Sequence, residues 1–314
     1  MANLTPPPSP AAKLRAMLAK DEIIVCPGVY DGFTARLALN AGFETLYMVP
    51  LPPFLFGSNI GGEMGKKKLI EGNVRDHASM IASISPSTPL IADADTGYGG
   101  PLMVGRTVAS YINAGVAAFH IEDQVVNKRC GHLRNKELVD IDTWVSRIRA
   151  AVMAREQSGR DIIIIARTDA LADHGYEEAM ARLKAAVDVG ADVAFLEGVR
   201  SIEEARRVCS DMSKVKRKDG GVGVSCLYNC VPGGVSPVLS VQEARECGYK
   251  MIITPTLALG EVFEAVTEAY KDLMEKGNTK GNEVPVRTLF ETCGLKESVE
   301  FDLKAGGKLY EKGV

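Results

Sequence analysis

The sequence has no excess of positive charge and no apolar run long enough to cross a membrane. Its 314 residues carry 37 lysines and arginines against 40 aspartates and glutamates, which gives a net charge of −3 at pH 7. Such a balance does not attract nucleic acid or an anionic membrane surface. The longest apolar stretches, such as residues 161–170, fall far short of the roughly 20 residues that a spanning helix needs. We therefore expect neither nucleic acid nor a membrane as a partner.

The features of a secreted, disulfide-stabilised protein are absent as well. Seven cysteines are an odd number in a long chain, and residues 1–13 lack the apolar core of a signal peptide. The final residues, LYEKGV, carry no lipidation or retention signal. Free thiols in a reducing compartment fit this composition better than a disulfide framework. We expect a cytoplasmic protein.

Short β-rich runs alternate with amphipathic segments along the chain. Apolar runs without polar alternation are typical of parallel strands that are covered on both faces. Glycines at 42, 115 and 190 mark helix ends ahead of the next strand. Eight such units in series, with no G-x-G-x-x-G after the first strand, favour a (β/α)8 TIM barrel over an open dinucleotide-binding sheet. The strand candidates are residues 23–30, 44–50, 89–95, 116–123, 161–170, 191–198, 221–227 and 250–256.

The pattern divides the chain into three parts. Residues 1–11 are rich in proline and are expected to form an extended, flexible tail. Residues 12–275 hold the eight repeating units of the barrel. Residues 276–314 exceed what a minimal barrel requires and include a second helical segment near 286–295. We expect this C-terminal helical extension to pack on a partner subunit.

Acidic side chains gather at the ends of four predicted strands. The chemistry of (β/α)8 barrels is located at the C-terminal ends of the strands, so these carboxylates should converge on one mouth. They would repel one another unless a cation shared the site, and oxygen ligands suit Mg²⁺ or Mn²⁺. Alternatively, each acid caps the helix that follows it. The acids are Asp93 and Asp95, Glu122 and Asp123, Asp169, and Glu197.

Arg167 lies on an otherwise apolar strand, where an unpaired charge would be costly. One role open to it is to neutralise Asp169 and Glu197. The other is to grip a substrate carboxylate, to which a guanidinium donates two parallel hydrogen bonds. We expect both roles.

Cys130 lies in a polar loop after the fourth strand, flanked by basic residues 128–129 and by His132. Neighbouring cations lower the pKa of a thiol and favour the thiolate, which suits proton transfer or nucleophilic attack. Two alternatives remain. Cys130 and His132 could form a zinc site with Cys226 and Cys230, or Cys130 could serve the structure alone.

Four segments carry a specific resemblance to one superfamily. They are ADADTGYGG at 92–100, GVAAFHIEDQVVNKRCGHL at 115–133, IIIIARTDAL at 162–171 and LEG at 196–198. Together they resemble the isocitrate lyase/phosphoenolpyruvate mutase superfamily, and the similarity covers roughly residues 12–314. The nearest branch is the methylisocitrate lyase, 2,3-dimethylmalate lyase and oxaloacetate acetylhydrolase group, especially its fungal members. The resemblance implies a barrel whose eighth helix is exchanged between the subunits of a homodimer or homotetramer.

The resemblance also implies roles for individual residues. Mg²⁺ would be bound directly by Asp93 and largely through water by Asp95 and Glu122. Cys130 would act as the acid/base when a carbon–carbon bond of a 2-hydroxy acid is cleaved, returning a proton to the departing carbanion. The other implied residues are His120, His132, Arg167 and Glu197 in catalysis, and Tyr47, Glu63, Gly131, His132, Arg167, Asn229 and Pro255 in substrate binding.

The chain departs from the family pattern after the second strand. The family motif [ST]G[AG]G there binds a substrate carboxylate through backbone N–H groups and a hydroxyl. Residues 49–56 instead read VPLPPFLF. Val49 has no hydroxyl, and the prolines at 50, 52 and 53 have no N–H to donate. We expect the usual anion-binding loop to be lost.

Three further positions differ. Glu63 stands where the family has Asp, one carbon further from the backbone, and Pro232 replaces a family Glu. Pro255 lies where acetylhydrolases carry a characteristic Ser, which argues against hydrolysis of oxaloacetate. Asn229, by contrast, matches the family pattern.

These observations lead to one main hypothesis and three alternatives. The main hypothesis is a Mg²⁺-dependent carbon–carbon lyase, or the reverse condensation, acting on a 2-hydroxy or 2-oxo acid that differs from the usual dicarboxylates. The alternatives are ordinary cleavage of dimethylmalate or methylisocitrate, an oxaloacetate-type hydrolase, and a non-catalytic scaffold.

Overall fold

The computed structural model describes residues 8–49, 63–128, 135–279 and 283–310, with the backbone alone for 63–73. Eight parallel strands close into a barrel in chain order, and β8 pairs with β1. The expected (β/α)8 barrel is confirmed. The strands are β1 (Ile24–Val29), β2 (Leu46–Met48), β3 (Leu90–Asp93), β4 (Ala118–Glu122), β5 (Ile163–Thr168), β6 (Val193–Leu196), β7 (Ser225–Asn229) and β8 (Met251–Thr254).

Helices alternate with the strands and end where the glycine pattern predicts. The residues at 42, 115 and 190 adopt φ values of 92°, 82° and 115°, a left-handed conformation that glycine reaches without steric cost. The helices are α1 (Pro10–Leu18), α2 (Gly32–Asn40), α3 (Glu63–Ile84), α4 (Pro101–Ala114), α5 (Ile141–Ser158), α6 (Leu171–Asp188), α7 (Ile202–Met212), α8 (Val241–Cys247), α9 (Leu257–Lys276), α10 (Val286–Thr292) and α11 (Leu295–Lys304).

The seventh strand is shifted relative to its prediction at 221–227. It begins at Ser225 and ends at Asn229. The preceding residues form a turn. Val222 forms an isolated antiparallel β-bridge with Lys216, and Gly223 has a φ of 92°. The apolar run GVGV therefore contributes a turn, and the shift brings Asn229 to the C-terminal end of the strand.

The N-terminal helix α1 closes the N-terminal end of the barrel. It begins at Pro10, capped by the Ser9 side chain, within the range 1–11 that we expected to be an extended tail. Leu14 is completely buried in the cluster that fills the barrel interior. Arg15 binds Asp161 and, at 2.9 Å, Asp192 on the two neighbouring strand-entry loops. The helix is therefore part of the folded domain.

The C-terminal helices α9, α10 and α11 contain no buried residue. Large apolar side chains are exposed along them, including Phe263 (72%), Met274 (86%) and Phe301 (75%). Among the described residues, no helix has the length and apolar character needed to cross a membrane. The exposed apolar surface is the kind that marks a protein–protein contact.

Candidate active site

The predicted functional side chains that the structure describes meet at the C-terminal mouth of the barrel. Each lies in the last part of a strand or just after it, because parallel strands all end at the same rim. They are Tyr47 (β2), Asp93 and Asp95 (end of β3), His120 and Glu122 (β4), Arg167 (β5), Glu197 (after β6), Asn229 (β7) and Pro255 (after β8).

The carboxylates after β3 and β4 are held by the backbone and by one cation. Asp93 Oδ1 accepts a hydrogen bond from the Asp95 backbone N–H at 2.7 Å. Asp95 itself has a φ of 51°, an uncommon value for a residue with a side chain. The ammonium of Lys128 contacts the carboxylates of Asp95 and, at 3.3 Å, Glu122. The C-terminal ends of β3 and β4 therefore place carboxylates together around one cation.

Burial dominates the electrostatics of this cluster. It raises the pKa of Glu122 to about 8, against the opposing effect of Arg167 and Lys128. Burial likewise raises the pKa of Asp95, although Lys128 lowers it in part. For Lys128, burial lowers the pKa, but Glu122 and Asp95 outweigh it, so the net shift is upward. Without a cation, these acids would resist ionising together.

The acids do not cap the helices that follow them. Helix α4 begins after Gly100, α6 after Ala170 and α7 after Ser201, so none of these helices has an Asp or Glu as its N-cap. Helix α5 is capped by Asp140, which belongs to none of the predicted strand ends. The alternative of helix capping is therefore wrong, and the acids instead contact side chains and backbone at the mouth of the barrel.

The donor set fits a hard divalent cation chemically. Three carboxylates lie at neighbouring strand ends, and the buried Glu122 Oε2 accepts no hydrogen bond from the described residues, although Arg167 Nε lies 3.3 Å away. The Lys128 ammonium already forms ion pairs with two of these carboxylates, those of Asp95 and Glu122. Within the described parts of the chain, however, no three His, Cys, Asp or Glu side chains are arranged to hold a metal ion. The three carboxylates would have to converge further, with Lys128 removed from between them.

Arg167 is the centre of a buried network of charges. Its guanidinium donates to both oxygens of Asp169, at 3.0 and 3.1 Å. It also lies 3.3 Å from Glu122 and 3.4 Å from Glu197. Lys136 donates to Asp169 at 2.8 Å. The expected neutralising role of Arg167 is therefore visible in the structure, and binding of a substrate carboxylate stays a prediction.

Two opposing effects set the charge of Asp169. Burial raises its pKa, but Arg167 and Lys136 outweigh this effect, so the net shift is downward. Asp169 is therefore an anion clamped between two cations. The pairing of Asp169 with Arg167 was expected from the sequence, but its pairing with Lys136 was not. The only sequence feature that could have suggested it is the position of Lys136, shortly after the Cys130 loop.

His120 is a neutral imidazole next to the carboxylate cluster. Its side chain is fully buried, and burial followed by repulsion from Arg167 and Lys128 holds its pKa well below the usual value. Its Nε2 lies 2.8 Å from the Tyr47 hydroxyl and 3.5 Å from Asp93 Oδ2. Tyr47 and His120 therefore form one hydrogen-bonded unit that borders the acids.

Glu197 and Asn229 present acceptors to the mouth of the barrel. Asn229 Nδ2 donates to Glu197 Oε2 at 3.0 Å. The other oxygen of each side chain, Glu197 Oε1 and Asn229 Oδ1, is buried and has no hydrogen-bond partner in the part of the chain that the structure describes. Such atoms are costly unless a bound molecule supplies donors.

Several predicted residues lie outside the described part of the chain. Cys130, Gly131 and His132 fall in residues 129–134, and the prolines at 50, 52 and 53 fall in residues 50–62. Glu63 is the first residue of α3, for which the backbone alone is described. Their predicted roles remain predictions.

The structure describes three further positions at which the sequence departs from the family pattern, Val49, Pro232 and Pro255. The Val49 N–H donates to the Val29 carbonyl at 3.1 Å, and the Val49 side chain is buried in the barrel interior. Neither group is therefore free for a substrate carboxylate. Pro255 packs its backbone against Gly28, where an added Cβ would lie 2.3 Å from the Pro255 carbonyl oxygen. Pro232 is exposed.

Comparison with known proteins places this geometry in a family. The family model described as phosphoenolpyruvate phosphomutase matches residues 14–274. The chain belongs to the phosphoenolpyruvate mutase/isocitrate lyase superfamily. A 2-methylisocitrate lyase from Aeropyrum pernix is 37% identical over 273 residues, covering 86% of this chain and 82% of the relative. The assignment to a superfamily of lyases is thereby confirmed.

Solved structures of this superfamily superimpose closely. A 2,3-dimethylmalate lyase is 48% identical with a TM-score of 0.89, covering 98% of this chain and 99% of its own. An oxaloacetate acetylhydrolase bound to 3,3-difluorooxalacetate is 43% identical with a TM-score of 0.85, covering 96% and 99%. A phosphonopyruvate hydrolase solved with oxalate and Mg²⁺ shares the fold at 24% identity and a TM-score of 0.76, covering 94% and 99%.

Proposed function

We propose that this chain is a Mg²⁺-dependent lyase that cleaves, or forms in reverse, a carbon–carbon bond of a 2-hydroxy or 2-oxo carboxylic acid. The observation that carries the proposal is that Glu122, Asp169 and Glu197 all contact Arg167 at the mouth of a barrel of this superfamily. Burying an arginine among several acids costs desolvation energy, and such charge clusters in a barrel mouth are frequent at functional sites.

Asp93, Asp95 and Glu122 would hold the ion, Asp93 directly and the others largely through water. When bound, Mg²⁺ would polarise a substrate oxygen and offset negative charge that develops during cleavage. Mn²⁺ prefers similar oxygen ligands and is a suitable substitute.

The protein's own residues would orient the substrate and move the proton. Arg167, clamped by Asp169, would grip a carboxylate, and neutral His120 with Tyr47 would hydrogen-bond an adjacent oxygen. Glu197 Oε1 and Asn229 Oδ1, which accept no hydrogen bond from the described residues, would accept hydrogen bonds from substrate donors. Cys130 would return a proton to the carbanion that leaves, with His132 and Gly131 beside it.

The substrate would differ from the usual dicarboxylates at the end remote from the metal. The surroundings of Val49 support this, because both its N–H and its side chain are committed to the barrel. A less charged or bulkier group would suit residues 49–56, where the sequence is apolar and rich in proline. Substrate contacts from Glu63 and Pro255 belong to the same proposal.

A second candidate is ordinary cleavage of 2,3-dimethylmalate, favoured by the 48% identity with a lyase of that name. Oxaloacetate hydrolysis is less well supported, since Pro255 stands where acetylhydrolases carry Ser. Incubation with methylisocitrate, dimethylmalate and oxaloacetate, each with Mg²⁺ and with excess EDTA, would separate these activities. Rapid turnover of a standard dicarboxylate would refute the altered substrate.

The catalytic assignment is tested by two variants. Cys130→Ser and Asp93→Ala should each abolish turnover of a true substrate while the far-ultraviolet circular dichroism stays unchanged. Full activity of Cys130→Ser would remove the thiol from the mechanism. If both variants keep full turnover, the active site lies elsewhere in the protein. If the unmodified protein shows neither turnover nor Mg²⁺ binding, the non-catalytic scaffold is favoured.

The assembly is part of the proposal. We propose that residues 276–314, with α9, pack on a partner subunit in a homodimer or homotetramer, because these helices expose Phe263, Met274 and Phe301. Phe263→Asp with Met274→Glu should lower the molar mass measured by light scattering. An unchanged mass would refute this interface. The free buried cysteines support the expected cytoplasmic setting.

A further inference from the structure

The Lys128 side chain occupies the space between two of the proposed metal ligands. Its ammonium contacts Asp95 Oδ1 and lies 3.3 Å from Glu122 Oε1. Glu122 Oε1 also accepts a hydrogen bond from Gln124 Nε2 at 3.0 Å. One cation therefore already satisfies carboxylate oxygens that a divalent ion would need.

The surroundings give this contact strength. The Lys128 side chain is only 23% exposed, Asp95 is 19% exposed and Glu122 is completely buried. Charge-assisted hydrogen bonds at such sites are stronger than those at the surface, where water and salt weaken them. The ammonium cannot share the same oxygens with a divalent ion at full strength, because the two cations repel each other at close range.

We propose that Lys128 is a built-in competitor of the divalent cation: its ammonium holds Asp95 and Glu122 in the metal-free protein and leaves them when the ion binds. This inference rests on the proposed function, which supplies the ion. The apparent affinity for Mg²⁺ is then lower than the carboxylates alone would give, because only the fraction of molecules without the lysine contact can bind.

The first test measures cation binding without any substrate. Isothermal titration with Mg²⁺ and with Mn²⁺ compares the unmodified protein with Lys128→Met, which keeps the length and removes the charge. We expect roughly 10- to 100-fold tighter binding in Lys128→Met, the range that one charge-assisted hydrogen bond is worth. Equal or weaker binding would overturn the proposal.

Lys250→Met is the matched control. Lys250 has a similar exposure, 29%, and contacts the single carboxylate of Asp21 at 3.4 Å. It precedes β8 and so lies at the opposite end of the barrel from the proposed metal ligands. Its replacement changes the net charge equally and should leave the cation affinity unchanged. An equal gain in both variants would show a general effect of charge and would also overturn the proposal.

The second test needs no variant. An amine-acylating reagent is applied to the unmodified protein with and without saturating Mg²⁺, and the modification of each lysine is measured by mass spectrometry. The Lys128 amine should react several-fold faster with Mg²⁺, while the Lys250 amine in the same molecule should not change. Equal or slower modification of Lys128 with Mg²⁺ would contradict its displacement.

The outcomes separate this inference from the proposed function. If Asp93→Ala abolishes Mg²⁺ binding but Lys128→Met does not strengthen it, the metal site stands and the competition is wrong. If Mg²⁺ binds neither the unmodified protein nor Lys128→Met, both the metal site and the competition are wrong.

Discussion

Asp169→Asn is the most informative change in the charge network. Asp169 is completely buried and is the shared acceptor of Arg167, at 3.0 and 3.1 Å, and of Lys136, at 2.8 Å. The amide keeps the shape of the side chain but removes its charge. Two buried cations would then face each other without the anion between them, which is the situation in which a broken buried pair costs most.

The magnitude follows from what each cation retains. Removing one partner of a buried pair costs about 3–5 kcal/mol. Arg167 keeps contacts with Glu122 at 3.3 Å and Glu197 at 3.4 Å, so we expect the lower end. A loss of about 3 kcal/mol in the free energy of unfolding corresponds to a fall of roughly 5 °C in Tm for a chain of this size.

The assay is thermal unfolding followed by circular dichroism, with Glu177→Gln as the matched control. Glu177 also pairs with a cation, Arg207 at 2.7 Å, but the two side chains are 84% and 53% exposed. Exposed pairs contribute at most about 1 kcal/mol, so this control should change little. If Asp169→Asn is no more destabilising than Glu177→Gln, the reasoning about the buried network is refuted.

The sign of the pH dependence supplies an internal check. The pKa of Asp169 is lowered in the folded protein, so its stabilising effect is present above the unfolded pKa of about 3.9 and is lost as the pH falls through the folded value. The difference between Asp169→Asn and the unmodified protein should therefore persist from about pH 8 down to pH 5, because Asp169 stays ionised in both the folded and the unfolded protein. It should shrink only in strong acid. If the difference in the free energy of unfolding disappears already near pH 6, the stabilising charge belongs to a group other than Asp169.

Two further changes test the barrel and the buried histidine. Gly28→Ala should destabilise the fold or impair expression, because the new Cβ would lie 2.3 Å from the Pro255 carbonyl, whereas Gly105→Ala, with open space in a helix, should be neutral or slightly stabilising in thermal unfolding. Tyr47→Phe removes the hydroxyl 2.8 Å from His120 Nε2 and should cost about 1–3 kcal/mol in unfolding experiments, with a changed ¹⁵N shift of the imidazole. An unchanged shift would mean that the hydroxyl does not bond the ring.

Much of the fold could be predicted because its signals are local. The eight strand runs and the glycines that end the helices are readable within windows of about ten residues. The errors occurred where local signals mislead. Residues 221–224 have a strand-like composition but turn at Gly223, and α1 follows a proline-rich stretch. A helix of 9 residues has little stability of its own, and it is Leu14, buried in the barrel, that retains it.

The sequence predicted which residues lie in the candidate site but not which of their charged side chains contact one another. The strand-end acids and Arg167 were expected at the mouth because all parallel strands end there, and Asn229 was expected from the family resemblance. That Lys136 binds Asp169, 33 residues away, could not be read from either segment alone. The basic residues next to Cys130 were expected to act on its thiol, whereas the Lys128 ammonium contacts Asp95 and Glu122.

The sequence by itself determined the repeating βα units, the closed barrel and the acidic character of its mouth, since periodicity and strand ends are properties of neighbouring residues. Tertiary structure decided which charges meet: Lys128 with Asp95 and Glu122, and Lys136 with Asp169. The physical reason is that a buried charge takes whichever partner the closed barrel brings within a few ångströms, and strands far apart in the chain become neighbours only when the barrel closes.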